Sequence, residues 1–227
     1  MNRDLSIADL KLLFKYLSEL GFERLPLEID DTLCDNGLCL FKEKALEALR
    51  SQIVNCQRCR LSQRRKNLVF GEGNPEARLM FIGEAPGAEE DLQGRPFVGP
   101  AGELLTRLIN KMGFKREDVY IANTVKCRPP NNRKPREDEL SQCMPFLKKQ
   151  IDIINPTVIM TLGDVAAKAL LGDIGSITRV RGKLFKYKNI PVVPTFHPSY
   201  LLRNPKAKWF TWEDAQKVLK ILKEEST

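Results

Sequence analysis

The chain has 227 residues, 42% of them hydrophobic and 7% aromatic, which is ordinary for a soluble globular protein and enough to bury a sizeable core. Lysine and arginine outnumber aspartate and glutamate by 37 to 29, for a formal net charge of +8. That balance favours an anionic partner, nucleic acid foremost, and no stretch is apolar for long enough to span a membrane.

Met1-Asn2-Arg3-Asp4 leads into an amphipathic pattern and not into the apolar stretch of a secretory signal. The expected setting is intracellular, cytoplasmic and nucleoid-associated in a prokaryotic-type cell. Six cysteines are then expected reduced, metal-bound or catalytic, not paired in a disulfide framework. Ser6 and Asp9 form a capping-box pattern. Leu10, Leu13, Phe14, Leu17 and Leu20 recur at helical spacing until Gly21. Residues 23–38 are irregular, and Cys34 and Cys39 there read as ordinary thiols or an occasional disulfide. This first part, residues 1–45, is expected to be a helical appendage on a main domain of residues 46–227.

A helix is expected over about Phe41 to Val54, followed by the knuckle Cys56-Gln57-Arg58-Cys59 and the basic run Arg64-Arg65-Lys66. Residues 71–75 are a turn. Leu79-Met80-Phe81-Ile82 is an apolar run long enough for one buried strand. Next comes a segment dense in glycine, proline and carboxylate, from Gly83 to Gly102, and then a helix pattern from Glu103. Loops this long are uncommon unless they are functional or disordered. The aromatic Phe97 amid the glycines argues for order. Long loops after strands are where α/β proteins keep their sites.

Val119 to Ala122 reads as a second strand, ending at Asn123-Thr124. A basic, proline-broken loop follows, with Cys127, Arg128, Arg133 and Lys134. A helix resumes at Arg136, with Leu140, Cys143, Leu147, Ile151 and Ile154 on one face. Pro145 should kink or break it near Cys143, since an interior proline costs about 3 kcal/mol. Residues 157–162 form a third strand and residues 164–171 a helix. Phe185–Tyr187 and Ile190–Pro194 form a hairpin-like pair, and a last amphipathic helix covers about 208–223. Strands alternate with helices, so the expected fold is α/β, with a mostly parallel sheet covered on both faces. No internal repeat or low-complexity tract interrupts it.

Cys56, Cys59, Cys127 and Cys143 give one knuckle and two singles. Four reduced cysteines can hold zinc or a [4Fe-4S] cluster. Zinc ribbons usually show two knuckles, which disfavours zinc. Cys143, on an apolar helix face, equally suits a buried structural thiol.

Gly83-Glu84-Ala85-Pro86-Gly87, Gly94-Arg95-Pro96-Phe97-Val98-Gly99, the strand end Asn123-Thr124, His197-Pro198-Ser199 and the spaced cysteines together resemble the iron–sulfur uracil-DNA glycosylases, family 4. The match covers roughly residues 50–222. It implies a three-layer α/β/α sandwich with the site at the carboxyl ends of the strands, and a structural [4Fe-4S] cluster on the four cysteines. It implies that Phe97 stacks on a flipped uracil and that Asn123 reads its Watson–Crick edge. Glu84 and the backbone near Ala85 belong to the catalytic pocket, Glu90 sits near C5 and excludes thymine, and His197 faces O2. A related branch carries glutamine at the position of Glu84 and a histidine-containing insertion through which it bonds covalently to DNA. Glu84, and the lack of histidine between Arg128 and Arg136, imply turnover instead.

The chemistry is readable from the residues as well. A departing uracil carries its charge on O2, and a donor aimed there acts like an oxyanion hole. A carboxylate can orient water and stabilise a cationic sugar. The amide of Asn123 can match N3–H and O4 of uracil, where cytosine presents the opposite pattern. Arg64, Arg65, Lys66, Arg133 and Arg203 are candidate phosphate contacts. Residues 200–203 offer bulky groups to fill the gap left by a flipped nucleotide. The expected activity is a monomeric, monofunctional glycosylase acting on uracil in single- or double-stranded DNA. The alternative is a non-catalytic, metal-stabilised nucleic-acid-binding module.

Overall fold

The computed structural model describes residues 37–224. The expected helix after Ser6 and the thiol of Cys34 lie outside the described residues, as does the side chain of Cys39.

A six-stranded sheet forms the middle layer, in the order β1-β3-β2-β4-β6-β5. The strands are β1 (Glu72–Gly73), β2 (Leu79–Gly83), β3 (Tyr120–Asn123), β4 (Val158–Leu162), β5 (Phe185–Tyr187) and β6 (Ile190–Thr195). The four inner strands run parallel, and the short edge strands β1 and β5 pair antiparallel with β3 and β6. Every residue of β2, β3 and β4 is buried. That is why these segments read as continuous apolar runs and not as alternating ones.

Helices α1 (Gly37–Ile53), α2 (Ala88–Gln93), α3 (Pro100–Lys111), α4 (Glu137–Ile154), α5 (Asp164–Leu171), α6 (Ile177–Val180), α7 (Pro198–Arg203) and α8 (Lys208–Glu224) complete the described fold. On one sheet face Leu105 and Ile109 of α3 and Ala215, Val218 and Leu222 of α8 pack on Leu79, Phe81, Ile121, Met160 and Val193. On the other, Gln150 of α4 bonds the Tyr120 hydroxyl, and Lys42 of α1 bonds both Glu76 and the Ile154 carbonyl at the end of α4. The three-layer α/β/α sandwich expected from the sequence is what forms. None of these helices is long and apolar enough to cross a membrane.

Helix α4 runs through Pro145 as one element, where a kink or break was expected. Pro145 and Ser141, four residues earlier, both lie on the exposed side of the helix. The Ser141 carbonyl deprived of its partner therefore faces water. Met144, Phe146 and Leu147 hold the buried side in place. The acidic run Glu89-Glu90-Asp91 is the first turn of α2. Carboxylates are favourable at a helix N-terminus. Asp91 is only 3% exposed and accepts from the Lys66 amide, which ties α2 to the basic run.

Chain order sets the place of the site. After β2 the chain crosses through α3 to β3 on one side, then through α4 to β4 on the other. β2 therefore lies at the switch point, where the loops leaving adjacent strands diverge and open a crevice beyond their carboxyl ends. Gly83 is in register with Asn123, and Leu162 with Thr195, so four strand ends open onto one space.

Candidate active site

That space is a cavity of about 540 Å³. Glu84, Ala85, Glu90 and Phe97 reach it from the loop after β2, Asn123 from the end of β3 and His197 from the loop after β6. The six residues picked out for chemistry and base recognition thus line one cavity.

The loop after β2 is held from inside by a carboxylate. Glu90 Oε1 accepts from the Val98 and Gly99 amides at 2.9 and 3.0 Å, and its Oε2 accepts from the Gly87 amide at 3.0 Å. One side chain on α2 therefore clips together both halves of the glycine-rich segment. What Glu90 presents to the cavity is a fixed loop more than a free acid. Phe97 sits at φ +50°, left-handed backbone that a non-glycine residue adopts only when its surroundings impose it. The amides on either side of the Glu90 clip and the close approach of α3 impose it here. A Cβ on Gly102 would stand 1.9 Å from the Phe97 carbonyl oxygen.

Gly83 has a role that its place in a motif did not reveal. A Cβ there would meet Asn123 Oδ1 and the Phe97 ring tip, each at 2.4 Å. Only glycine at the end of β2 leaves both side chains their positions across the cavity floor. A glycine ending an otherwise apolar strand was the available signal.

Asn123 is 2% exposed, and its Oδ1 has no hydrogen-bond partner among the described residues. A buried acceptor left unmatched costs about 1–3 kcal/mol, so this oxygen suits a donor arriving with a ligand. Its backbone is fixed from behind. The fully buried Lys126 ammonium donates to the Asn123 carbonyl at 3.0 Å and to Gln150 Oε1 at 2.5 Å. Gln150 in turn donates to the Phe70 carbonyl and to the Tyr120 hydroxyl. Sequence reasoning missed this network, because a lysine and a glutamine in polar surroundings read as surface.

His197 is the N-cap of α7, and its Nδ1 accepts from the Ser199 amide at 3.1 Å. An amide can only donate, so Nδ1 carries no proton and the neutral ring carries it on Nε2. Burial pushes this histidine down to about 4, with Arg203 adding to the shift and Glu90 opposing it. The ring is therefore a neutral N–H donor at physiological pH. It lies 5.8 Å from the Phe97 ring, centroid to centroid.

Burial raises the pKa of Glu84 above the ordinary carboxylate value; Lys134 opposes the shift and Asp164 reinforces it. Lys134, from the basic loop, also lines the cavity, as do Asp164 and Thr178, to which sequence reasoning gave no site role. Thr124 Oγ1 donates to the Glu84 carbonyl at 2.5 Å and fixes the backbone beneath the carboxylate.

Cys56, Cys59, Cys127 and Cys143 line a second, smaller and apolar cavity with Ile53, Leu68 and Phe146. The knuckle follows α1, Cys127 follows β3, and Cys143 sits on α4, so three separate elements supply the thiols. Arg65 joins them: it donates to Cys127 Sγ at 3.2 Å and to the Cys56 and Val54 carbonyls at 2.9 and 2.8 Å. The Lys126 amide donates to Cys143 Sγ at 3.3 Å. Burial pushes the Cys143 thiol up to about 12 and raises that of Cys127. Among the described residues no three such side chains are grouped as ligands of a single metal ion.

The basic residues divide. Arg64 and Lys66 are exposed, and Arg203 is exposed at the cavity edge. Arg65 is committed to the cysteine cavity. Arg133 lines the active-site cavity, but both its terminal nitrogens are taken by Glu139, at 2.8 and 2.6 Å. Both arginines, expected as phosphate contacts, are already engaged by partners within the protein.

The comparisons with known proteins agree with this geometry. The family model of the uracil DNA glycosylase superfamily matches residues 70–222. A type-4 uracil-DNA glycosylase of Thermotoga maritima is 48% identical over 188 residues, which is 81% of this chain and 98% of that one. A type-4 uracil-DNA glycosylase of Sulfurisphaera tokodaii is also 48% identical, covering 78% of this chain and 84% of the relative. A type-5 uracil-DNA glycosylase of Pyrobaculum aerophilum is 30% identical, over 66% of this chain.

Proposed function

The chain belongs to the uracil-DNA glycosylase superfamily and is a uracil-DNA glycosylase, a hydrolase of N-glycosyl bonds, and from that premise we propose how its residues divide the reaction. Uracil flips out of the DNA into the cavity and stacks on Phe97. Asn123 accepts N3–H through Oδ1 and donates to O4 through its amide nitrogen. Cytosine has no proton at N3 and an amine in place of O4, so it leaves Asn123 unmatched. Glu90 excludes thymine through the loop it clips, which fixes where Phe97 and the backbone stand around C5.

As the glycosidic bond stretches, the sugar becomes cationic and the base gathers negative charge on O2. The Nε2–H of His197 donates to that oxygen. A neutral donor is worth more here than in water, because the ring is buried and already oriented. The Glu84 carboxylate stabilises the sugar and takes a proton from the attacking water. Water attack leaves an abasic site and needs no lysine. The observation that carries this reading is the convergence of Glu84, Phe97, Asn123 and His197, from three strand ends, on one cavity.

Cys56, Cys59, Cys127 and Cys143 suit a structural [4Fe-4S] cluster. A single tetrahedral zinc would draw four sulfurs to about 2.3 Å from one point. A cluster spaces its thiolates more widely and tolerates N–H donors on its sulfurs, as Arg65 and Lys126 supply. When bound, it joins α1, the loop after β3 and α4 covalently. Helix α1 runs across the boundary expected at residues 45/46 and its Lys42 ties it to Glu76 and Ile154, so in this reading the glycosylase domain includes α1. The enzyme acts as a monomer on intracellular DNA, single- or double-stranded.

A uracil-containing oligonucleotide treated with the enzyme and then alkali tests the function. Alkali-dependent cleavage at the uracil is expected. Its absence, with an abasic control cleaved, overturns the assignment. A preparation purified without oxygen should be brown with broad visible absorption; a colourless, zinc-loaded one overturns the cluster.

A further inference from the structure

Two large aromatic side chains at the start of α8 face solvent: Trp209 is 63% exposed and Phe210 46%. Nothing in the reaction uses them. Water is an unfavourable place for such rings, and neighbouring exposed apolar groups mark interaction surfaces. Leu202 and Leu184 are exposed as well, 44% and 60%.

This surface is joined to the cavity. The Arg181 guanidinium lies 4.9 Å from the Phe210 ring centroid and 5.9 Å from that of Phe196, which lines the cavity. Arg181 also donates to the Phe210 carbonyl and is anchored by the buried Asp214 at 2.6 Å. Phe196 stacks with Tyr200 at 4.9 Å, and Tyr200 and Arg203 both line the cavity. Rings and guanidinium thus lead from the site out to Phe210.

The charge of these segments points to one occupant. Arg179, Lys183, Arg203, Lys206 and Lys208 are exposed along them. The acidic Glu213 is already engaged, by the Trp209 indole and by Arg181. Exposed aromatics among unpaired cations form the combination that holds single-stranded nucleic acid, with bases stacking on rings and phosphates following the cations.

We propose that Trp209 and Phe210 form a stacking platform for unpaired bases of the single strand that flanks the flipped nucleotide. The platform deepens the glycosylase reading and rests on it. It extends the footprint of the enzyme beyond the uracil cavity and favours single-stranded substrate.

Binding and turnover test it separately. In a Trp212→Phe background, uracil-free oligothymidine of twelve nucleotides should quench Trp209 emission, and Phe210→Ala should weaken that binding about tenfold. Unchanged emission, or equal affinity in the variant, overturns the platform and leaves the patch to a protein partner. In turnover, Trp209→Ala/Phe210→Ala should raise KM about tenfold on a single-stranded uracil dodecamer with kcat within about twofold. A uracil trinucleotide, with one base on each side of the uracil, should lose less. An equal loss on the trinucleotide overturns the proposal in favour of a folding role. If wild type quenches normally yet excises uracil from neither substrate, the glycosylase reading fails instead.

Discussion

The active-site cavity and the cysteine cavity are built on different principles. At the strand ends, polar groups are left unmatched: Asn123 Oδ1 has no partner among the described residues, burial raises Glu84, and burial depresses His197 to about 4. Around the cysteines, Arg65 saturates the neighbouring backbone carbonyls and a sulfur, and Ile53, Leu68 and Phe146 form the walls. Both sites hold buried groups whose charged form burial opposes, Cys143 included, but of the two only the strand-end cavity leaves a buried side-chain acceptor without a partner among the described residues. Such contrast separates a place for chemistry from a place for holding.

The contrast breaks most sharply at Glu84. Glu84→Gln keeps shape and removes the base, so kcat should fall about a hundred- to ten-thousand-fold, with uracil-DNA affinity by anisotropy unchanged. A loss confined to affinity would remove Glu84 from the chemistry. His197→Ala should cost about a hundred- to a thousand-fold in kcat. Gly83→Ala should cost about a hundredfold, because its methyl displaces Asn123 and Phe97 from their places. Its circular dichroism should match wild type, since the change lies in the cavity floor.

Changes at the cysteine cavity should invert the pattern. Cys127→Ser should lower Tm by roughly 10 °C, the size expected when several kcal/mol of cross-linking is lost from a domain of this size. Residual activity should follow the fraction still folded. Arg65→Gln is milder: the proposed cluster should be retained at first and lost faster in air, read by decay of visible absorption.

The smallest effect is a titration. His197 is the only histidine, so a single Cε1–H resonance reports it. In the unfolded chain it titrates near the ordinary 6.5, in the folded protein near 4. As pH falls the unfolded state therefore gains the proton first. This group contributes nothing above about 6.5 and removes stability between there and about 4. Activity should decline earlier, above the ordinary glutamate value of 4.5, as Glu84 protonates. A His197 resonance moving near pH 6.5 would refute the buried neutral donor.

The fold was legible because buried parallel strands leave an unmistakable trace. Leu79–Ile82 is a continuous apolar run and Val158–Leu162 is interrupted only by Thr161, and glycine, proline and turn residues bound them. The strand-end residues were legible through their motifs. What stayed hidden depends on contacts distant in sequence. Nothing local in Lys126 predicts that its ammonium is buried between the Asn123 carbonyl and Gln150. Nothing in the basic run distinguishes Arg64, which meets water, from Arg65, which reaches Cys127. Glu90, read as a filter on the base, has its oxygens on three amides of its own loop, a geometry that no spacing rule encodes.

The N-cap of α7 carries one more consequence. The hydrogen bond from the Ser199 amide that starts this helix is the bond that keeps the His197 proton on the far nitrogen. Tautomer and helix start are thus one equilibrium. Were the ring to move its proton to Nδ1, the first turn of α7 would lose its cap, and Tyr200 and Arg203, borne on that turn and the next, would lose their anchorage. Conversely, whatever steadies α7 tightens the hold on the proton across the ring, so the helix start and the donor on Nε2 are set together.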